Sequence, residues 1–166
     1  LQTRLGLSVV YVTHDQAEAM SLSDTVVLMR DGRTEQIGAP EQLYHKPATP
    51  FVARFVGDPP MALVDGEAFG TQKGPVGIRI EAITQSARLE DADLLAEVIE
   101  TEYLGARTHV ILRHPAAEGL ALILTGRVTY APGTRIGLLL PDEHRVRFDA
   151  DQTPNHDPAR IRAKTR

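Results

Sequence analysis

The sequence has no cysteine and no tryptophan. Without cysteine there is no disulfide, no thiolate metal site and no cysteine nucleophile. Aromatic residues fill only 5% of the 166 positions, which leaves little with which to build base-stacking platforms. An excess of one charge is also missing: 18 basic residues face 22 acidic ones, a formal net charge of −4. Such a balance exerts no general pull on nucleic acid or an anionic membrane. No apolar run approaches the roughly 20 residues that span a bilayer. Neither a G-x-x-x-x-G-K-[ST] phosphate loop nor a G-x-S-x-G nucleophile elbow occurs. The nearest glycine-rich stretch, Gly70 to Gly74, lacks both the spacing and the Lys-Ser/Thr ending. The histidines lack zinc-site spacing, so no metal is expected.

What is present begins abruptly. Leu1 to Leu5 reads as a helix end with Gly6 as its stop, and no capping residue precedes it. The chain is therefore expected to be the tail of a longer protein. Ser8 to Val12 is a continuous β-branched run, as in a strand buried on both faces of a parallel sheet. Asp15, with Glu18 three residues on, predicts a capped helix start. Thr25 to Met29 predicts a strand, Asp31-Gly32 a two-residue hairpin turn, and Arg33 to Ile37 the return strand. Pro40 and Thr49-Pro50 are helix-start signals, and Gly57 ends the second of these helices.

Asp58-Pro59-Pro60 marks a boundary. Beyond it the pattern changes to short strands separated by turns: Ala62 to Phe69, Val76 to Ile83, Leu94 to Leu104, Arg107 to Arg113, Leu120 to Arg127, Arg135 to Leu140 and Arg145 to Phe148. Such a series predicts a small barrel or sandwich. From Asp151 onward the composition is that of a disordered tail.

His14 is the leading candidate for chemistry. At the carboxyl end of a parallel strand it would face the crevice where open α/β sheets bind ligands. Imidazole there can bond a phosphate oxygen or hold an attacking water. From position alone, the plainer reading is a strand-end histidine bonded to a backbone carbonyl. Glu97, Glu100 and Glu102 read as a half-solvated strand face rather than a catalytic pair, which needs a partner across a cleft. His45, His109, His114, His144 and His156 carry no spacing signal. Arg160, Arg162, Lys164 and Arg166 form a basic tail that reads as solvating.

V-V-Y-V-T-H-D-Q-A-E-A-M, Val9 to Met20, resembles the switch-histidine segment of ABC-transporter ATP-binding subunits. S-D-T-V-V-L-M-R-D-G-R-T-E-Q-I-G-A-P-E-Q-L-Y-H-K-P, Ser23 to Pro47, resembles that family's C-terminal hairpin and helix, and P-F-V-A-R-F-V-G, Pro50 to Gly57, its exit from the nucleotide-binding domain. The pattern is nearest the importers of carbohydrates and glycerol phosphates. G-I-R-I-E-A-I (Gly77 to Ile83), L-G-A-R-T (Leu104 to Thr108) and R-V-R-F-D (Arg145 to Asp149) resemble the appended OB-like (TOBE-type) regulatory domain. Ile80 stands where that family commonly has proline.

The resemblance implies an α+β chain: the C-terminal piece of an α/β nucleotide-binding domain over 1–57, an OB-like small barrel over 58–150 and a tail over 151–166. It implies that His14 contacts the γ-phosphate of ATP in the parent subunit, which uses ATP and Mg²⁺. The phosphate loop, signature motif and catalytic glutamate would precede Leu1, so this chain alone is expected to be inactive and to carry no cofactor. Implied partners are a second copy of the ATPase subunit and integral-membrane permease subunits, with a regulatory protein as a further one and no nucleic acid. The implied location is the cytoplasmic face of the plasma membrane. The competing reading is a non-enzymatic OB-like module that binds a ligand or a regulatory protein; OB-like barrels also bind oligonucleotides.

Overall fold

The computed structural model describes residues 8–70 and 73–149. The helix end expected over Leu1 to Leu5 and the tail from Asp151 lie outside the described residues.

Helix α1 spans Gln16–Leu22, with the Asp15 carboxylate accepting from the Glu18 amide at its start. The capping box is not reciprocal. Glu18 instead accepts from Tyr11 Oη and Thr13 Oγ1, tying the preceding turn to the helix. Strands β1 (Val26–Arg30) and β2 (Arg33–Gly38) pair antiparallel, with Arg30 opposite Arg33. Asp31 and Gly32 have φ of 51° and 75°, the left-handed pair that a type I′ turn requires. Helices α2 (Pro40–His45) and α3 (Pro50–Phe55) each carry proline in the first turn, where the missing N–H has no partner to lose. Thr49 caps α3 by accepting from the Val52 amide. The Gln36 side chain clasps the loop between these helices, donating to the Lys46 carbonyl and accepting from the Ala48 amide.

Leu28, Leu43, Val52 and Val56 form the small core of this unit. The strand expected at Ser8 to Val12 is not formed. Those residues are described without strand pairing, and Val10 and Val12 are 93% and 90% exposed. An all-apolar strand needs sheet neighbours on both sides to satisfy its backbone. Among the described residues it has none.

Residues 62–147 build a barrel-like pair of sheets. One has the order β5 (Thr84–Gln85), β10 (Arg135–Leu139), β6 (Leu94–Tyr103), β7 (Arg107–Arg113) and β9 (Ala121–Thr125). The other runs β11 (Arg145–Arg147), β4 (Pro75–Ile78), β3 (Ala62–Asp65) and β8 (Ala117–Glu118). Their inner faces share one core that includes Val64, Ile78, Val98, Val110, Leu122 and Leu138. Two expected strands are shorter than their apolar runs. Ala62 to Phe69 breaks into a 3₁₀ turn over Gly66–Phe69, and Val76 to Ile83 into one over Ile80–Ala82. Asp65 explains the first, because its carboxylate accepts from the Glu67 amide and starts the turn. Ile80 is buried at the start of the second.

Candidate functional site

His14 sits on the bend immediately before α1 and is exposed. Among the described residues its side chain has no hydrogen-bond partner. The expectation of a strand leading into it is corrected by the unpaired backbone of 8–12. The polar groups around it are those of the turn: Tyr11, Thr13, Asp15 and Glu18. The Glu18 carboxylate, accepting from the Tyr11 hydroxyl and repelling its ionised form, raises the Tyr11 pKa.

The three glutamates of β6 are not brought together as a pair. Glu97 is ion-paired with Arg113 on the neighbouring strand, while Glu100 and Glu102 lie opposite Ile111 and His109. Among the described residues no group of three or more His, Asp or Glu could hold a metal ion. His156 and the basic tail fall outside the described residues.

A second location was not anticipated. His45 and His144, about a hundred positions apart in the chain, line one cleft of about 750 Å³ between the end of α2 and the barrel. Its floor includes Arg79, which follows β4. The Arg79 guanidinium is buried, lies 4.0 Å from the Tyr44 ring centroid, and donates to three backbone carbonyls. Nε and Nη2 reach Tyr44, at 3.2 and 2.7 Å, and Nη1 reaches Ala53 and Val56. These carbonyls lie at the C-terminal ends of α2 and α3, where the helices themselves supply no partner. One barrel side chain therefore caps two helices of the other unit. Burial lowers the Arg79 pKa, while Tyr44 and Glu81 oppose the shift. Burial likewise raises the Tyr44 pKa, with Glu81 adding to it.

Gly57 makes the contact possible. Its φ is +107°, and a Cβ there would stand 2.7 Å from Arg79 Nη1. Ala53, Met61 and Phe148 close a third small core across the same seam. The sequence signal for Arg79 was an arginine inside the apolar run P-V-G-I-R-I, a charge that must find buried partners.

A family model described as a TOBE domain matches residues 76–148. The chain is 38% identical over 168 residues to the sn-glycerol-3-phosphate import ATP-binding protein UgpC of Rhodopseudomonas palustris strain BisB5, covering 93% of this chain and 43% of that protein. It is 39% identical over 176 residues to the protein of the same name from strain HaA2, again covering 93% of this chain and 43% of the relative. Against the namesake in strain BisA53 the identity is 51% over 92 residues, 51% of this chain and 26% of the relative. The chain spans less than half the length of these curated relatives. Similarity over 93% of this chain to proteins named import ATP-binding proteins, with the TOBE match over 76–148, supports reading it as a C-terminal ABC ATP-binding fragment with a TOBE domain.

Proposed function

We propose that this chain serves an ABC importer for a sugar-like or glycerol-phosphate solute. Residues 1–57 are the C-terminal part of the α/β ATPase domain, 58–150 an OB-like regulatory domain, and 151–166 a tail. In this reading His14 is the switch histidine. It contacts the γ-phosphate of ATP and helps hold the attacking water, and a preceding segment provides the phosphate loop, the Mg²⁺ site and the catalytic glutamate. The observation that carries the reading is the match of 93% of the chain to proteins named import ATP-binding proteins. The exposure of His14, on a turn held by Asp15 and Glu18, supports it as well, because such a side chain is free to meet a ligand brought by another segment.

The partners of the assembled transporter are a second copy of the ATPase subunit and membrane permease subunits, with a regulatory protein as a further candidate for the barrel. No helix among the described residues is long and apolar enough to cross a membrane. Attachment to the cytoplasmic face of the membrane would then run through the permease.

Phosphoryl transfer needs a phosphate cradle, a metal ion and a positioned water together. The 166-residue chain alone is therefore expected to show no magnesium-dependent ATP hydrolysis. Measurable turnover, lost in His14→Ala, would overturn the assignment of the catalytic parts to a preceding segment. When that segment is supplied as one chain with this one, hydrolysis is expected. His14→Ala should then lower kcat by about a hundredfold or more, the scale of losing one group that acts on the transition state. An unchanged kcat would remove His14 from the site.

A further inference from the structure

We propose that Thr13 and Glu18 are positioning residues that aim His14, acting through the backbone of its turn rather than by touching a ligand. The inference deepens the ATPase reading and rests on its assignment of His14. Its basis is the way the turn is closed. Thr13 Oγ1 accepts from the Asp15 amide, so one hydrogen bond spans His14 itself, and the same hydroxyl donates to Glu18 Oε2. That carboxylate oxygen also accepts from Tyr11 Oη, and the Glu18 amide donates to Asp15 Oδ1. The residues on either side of His14 are thus tied to one residue in the first turn of α1.

His14 depends on such a frame. It is exposed, and the run before it forms no strand. Its ring is therefore aimed by its own backbone, because the rotamers open to a side chain follow from φ and ψ. A group that acts on reacting atoms loses much of its effect when it is misplaced by a fraction of an ångström. The two hydroxyls reach the same Glu18 oxygen, at 3.1 Å from Tyr11 and 3.0 Å from Thr13. What the clasp requires is one acceptor with two lone pairs, not a charge. The carbonyl oxygen of a glutamine is such an acceptor. Thr13 is less replaceable, since its hydroxyl both donates and accepts, and valine of the same shape does neither.

The first measurement uses the 166-residue chain. The Tyr11 phenol, followed by its ring resonances, should titrate above the ordinary value of 10.0, through its hydrogen bond to Glu18 and repulsion from that carboxylate. Glu18→Ala should abolish the shift. Ordinary titration in the unmodified chain would mean that the clasp does not form, and would overturn the proposal. The second measurement is ATP hydrolysis by this chain joined to its preceding segment. Glu18→Ala and Thr13→Val should each lower kcat about tenfold, with KM for ATP within about twofold of the parent. Glu18→Gln should recover most of the rate. In a His14→Ala background, Glu18→Ala should cause no further loss, because residues acting through one group are not additive. Ser21→Ala removes a hydrogen bond of α1 outside the clasp and should leave kcat unchanged. Glu18 and Ser21 are exposed, so these variants should fold. Unchanged kcat in Glu18→Ala and Thr13→Val would overturn the positioning role while the ATPase reading stands. So would equal losses in Glu18→Gln and Glu18→Ala, or full additivity with His14→Ala. An unaltered kcat in His14→Ala would remove both.

Discussion

Arg79 concentrates more of the structure in one side chain than any residue singled out from the sequence. Removing it takes the side-chain donor from the Tyr44 and Val56 carbonyls, while Ala53 keeps the Met61 amide, and leaves Tyr44 facing a void. Arg79→Ala should lower stability to urea by about 3 kcal/mol, the scale of unpaired buried acceptors that had bonded a charged donor. Arg79→Lys should recover little of this, because an ammonium lacks the planar fork that serves Tyr44 through Nε and Nη2 together. Full stability in either variant, read from the denaturation midpoint, would show that the cap carries little energy. Tyr44 adds a pH dependence. Its folded pKa lies above the ordinary value of 10.0, so the unfolded chain releases that proton first. Stability from this group is complete below about pH 10 and declines as pH rises through the folded pKa. Tyr44→Phe should remove that part of the alkaline decline, seen as a shallower slope of stability against pH than in the parent chain. His14 was visible in the sequence because its neighbours form a contiguous pattern. Arg79 was not assigned a role, because its partners lie 23 to 35 positions upstream and only the folded chain brings them together.

At the scale of elements, the legible parts were those with a local cause. The Asp31-Gly32 turn, the Asp15 and Thr49 caps and the proline starts of α2 and α3 are fixed by residues within four positions of one another. Strand β7 was expected over Arg107 to Arg113 and spans those residues, because it alternates buried and solvent-facing side chains. Elements that depend on distant partners were less legible. Short β5 and β8 exist only through their pairing with β10 and β3. Ser8 to Val12 shows the converse: the composition is that of a strand, but strand formation needs hydrogen-bonded neighbours. Amide exchange gives the decisive measurement. The amides of Val9 to Val12 should exchange at close to random-coil rates in this chain, while paired amides of β1 and β2 are slowed. Protection of Val9 to Val12 in a dilute monomer would mean that the run finds a partner strand within these 166 residues. The turn offers a second check. Gly32→Ala places a Cβ at φ +75°, and it should cost about 1 kcal/mol even though the space around it is open.

For the molecule as a whole, the two units differ sharply in what they can bury. Among the described residues the barrel core gathers 14 buried residues, whereas the unit of α1, the hairpin, α2 and α3 has four of its own. Four buried side chains are a small core for a unit of some forty residues to fold on alone. The smaller unit must therefore draw its stability from the barrel, through Arg79 and through the seam of Ala53, Met61 and Phe148. Heating should accordingly give one cooperative transition that both units share. A chain of residues 8–57 alone should be unfolded by circular dichroism. Residues 58–149 alone should keep the barrel but melt lower, since Met61 and Phe148, buried in the intact chain, would lose their cover of α3. Phe148→Ala in the intact chain should cost about 3–5 kcal/mol and, if the dependence is one-way, should release the small unit before the barrel, splitting the single transition into two. Two transitions in the unmodified chain, or a stable fold for 8–57 alone, would show instead that the smaller unit stands without the barrel. The seam would then be a contact between independent bodies rather than the source of the smaller one's order.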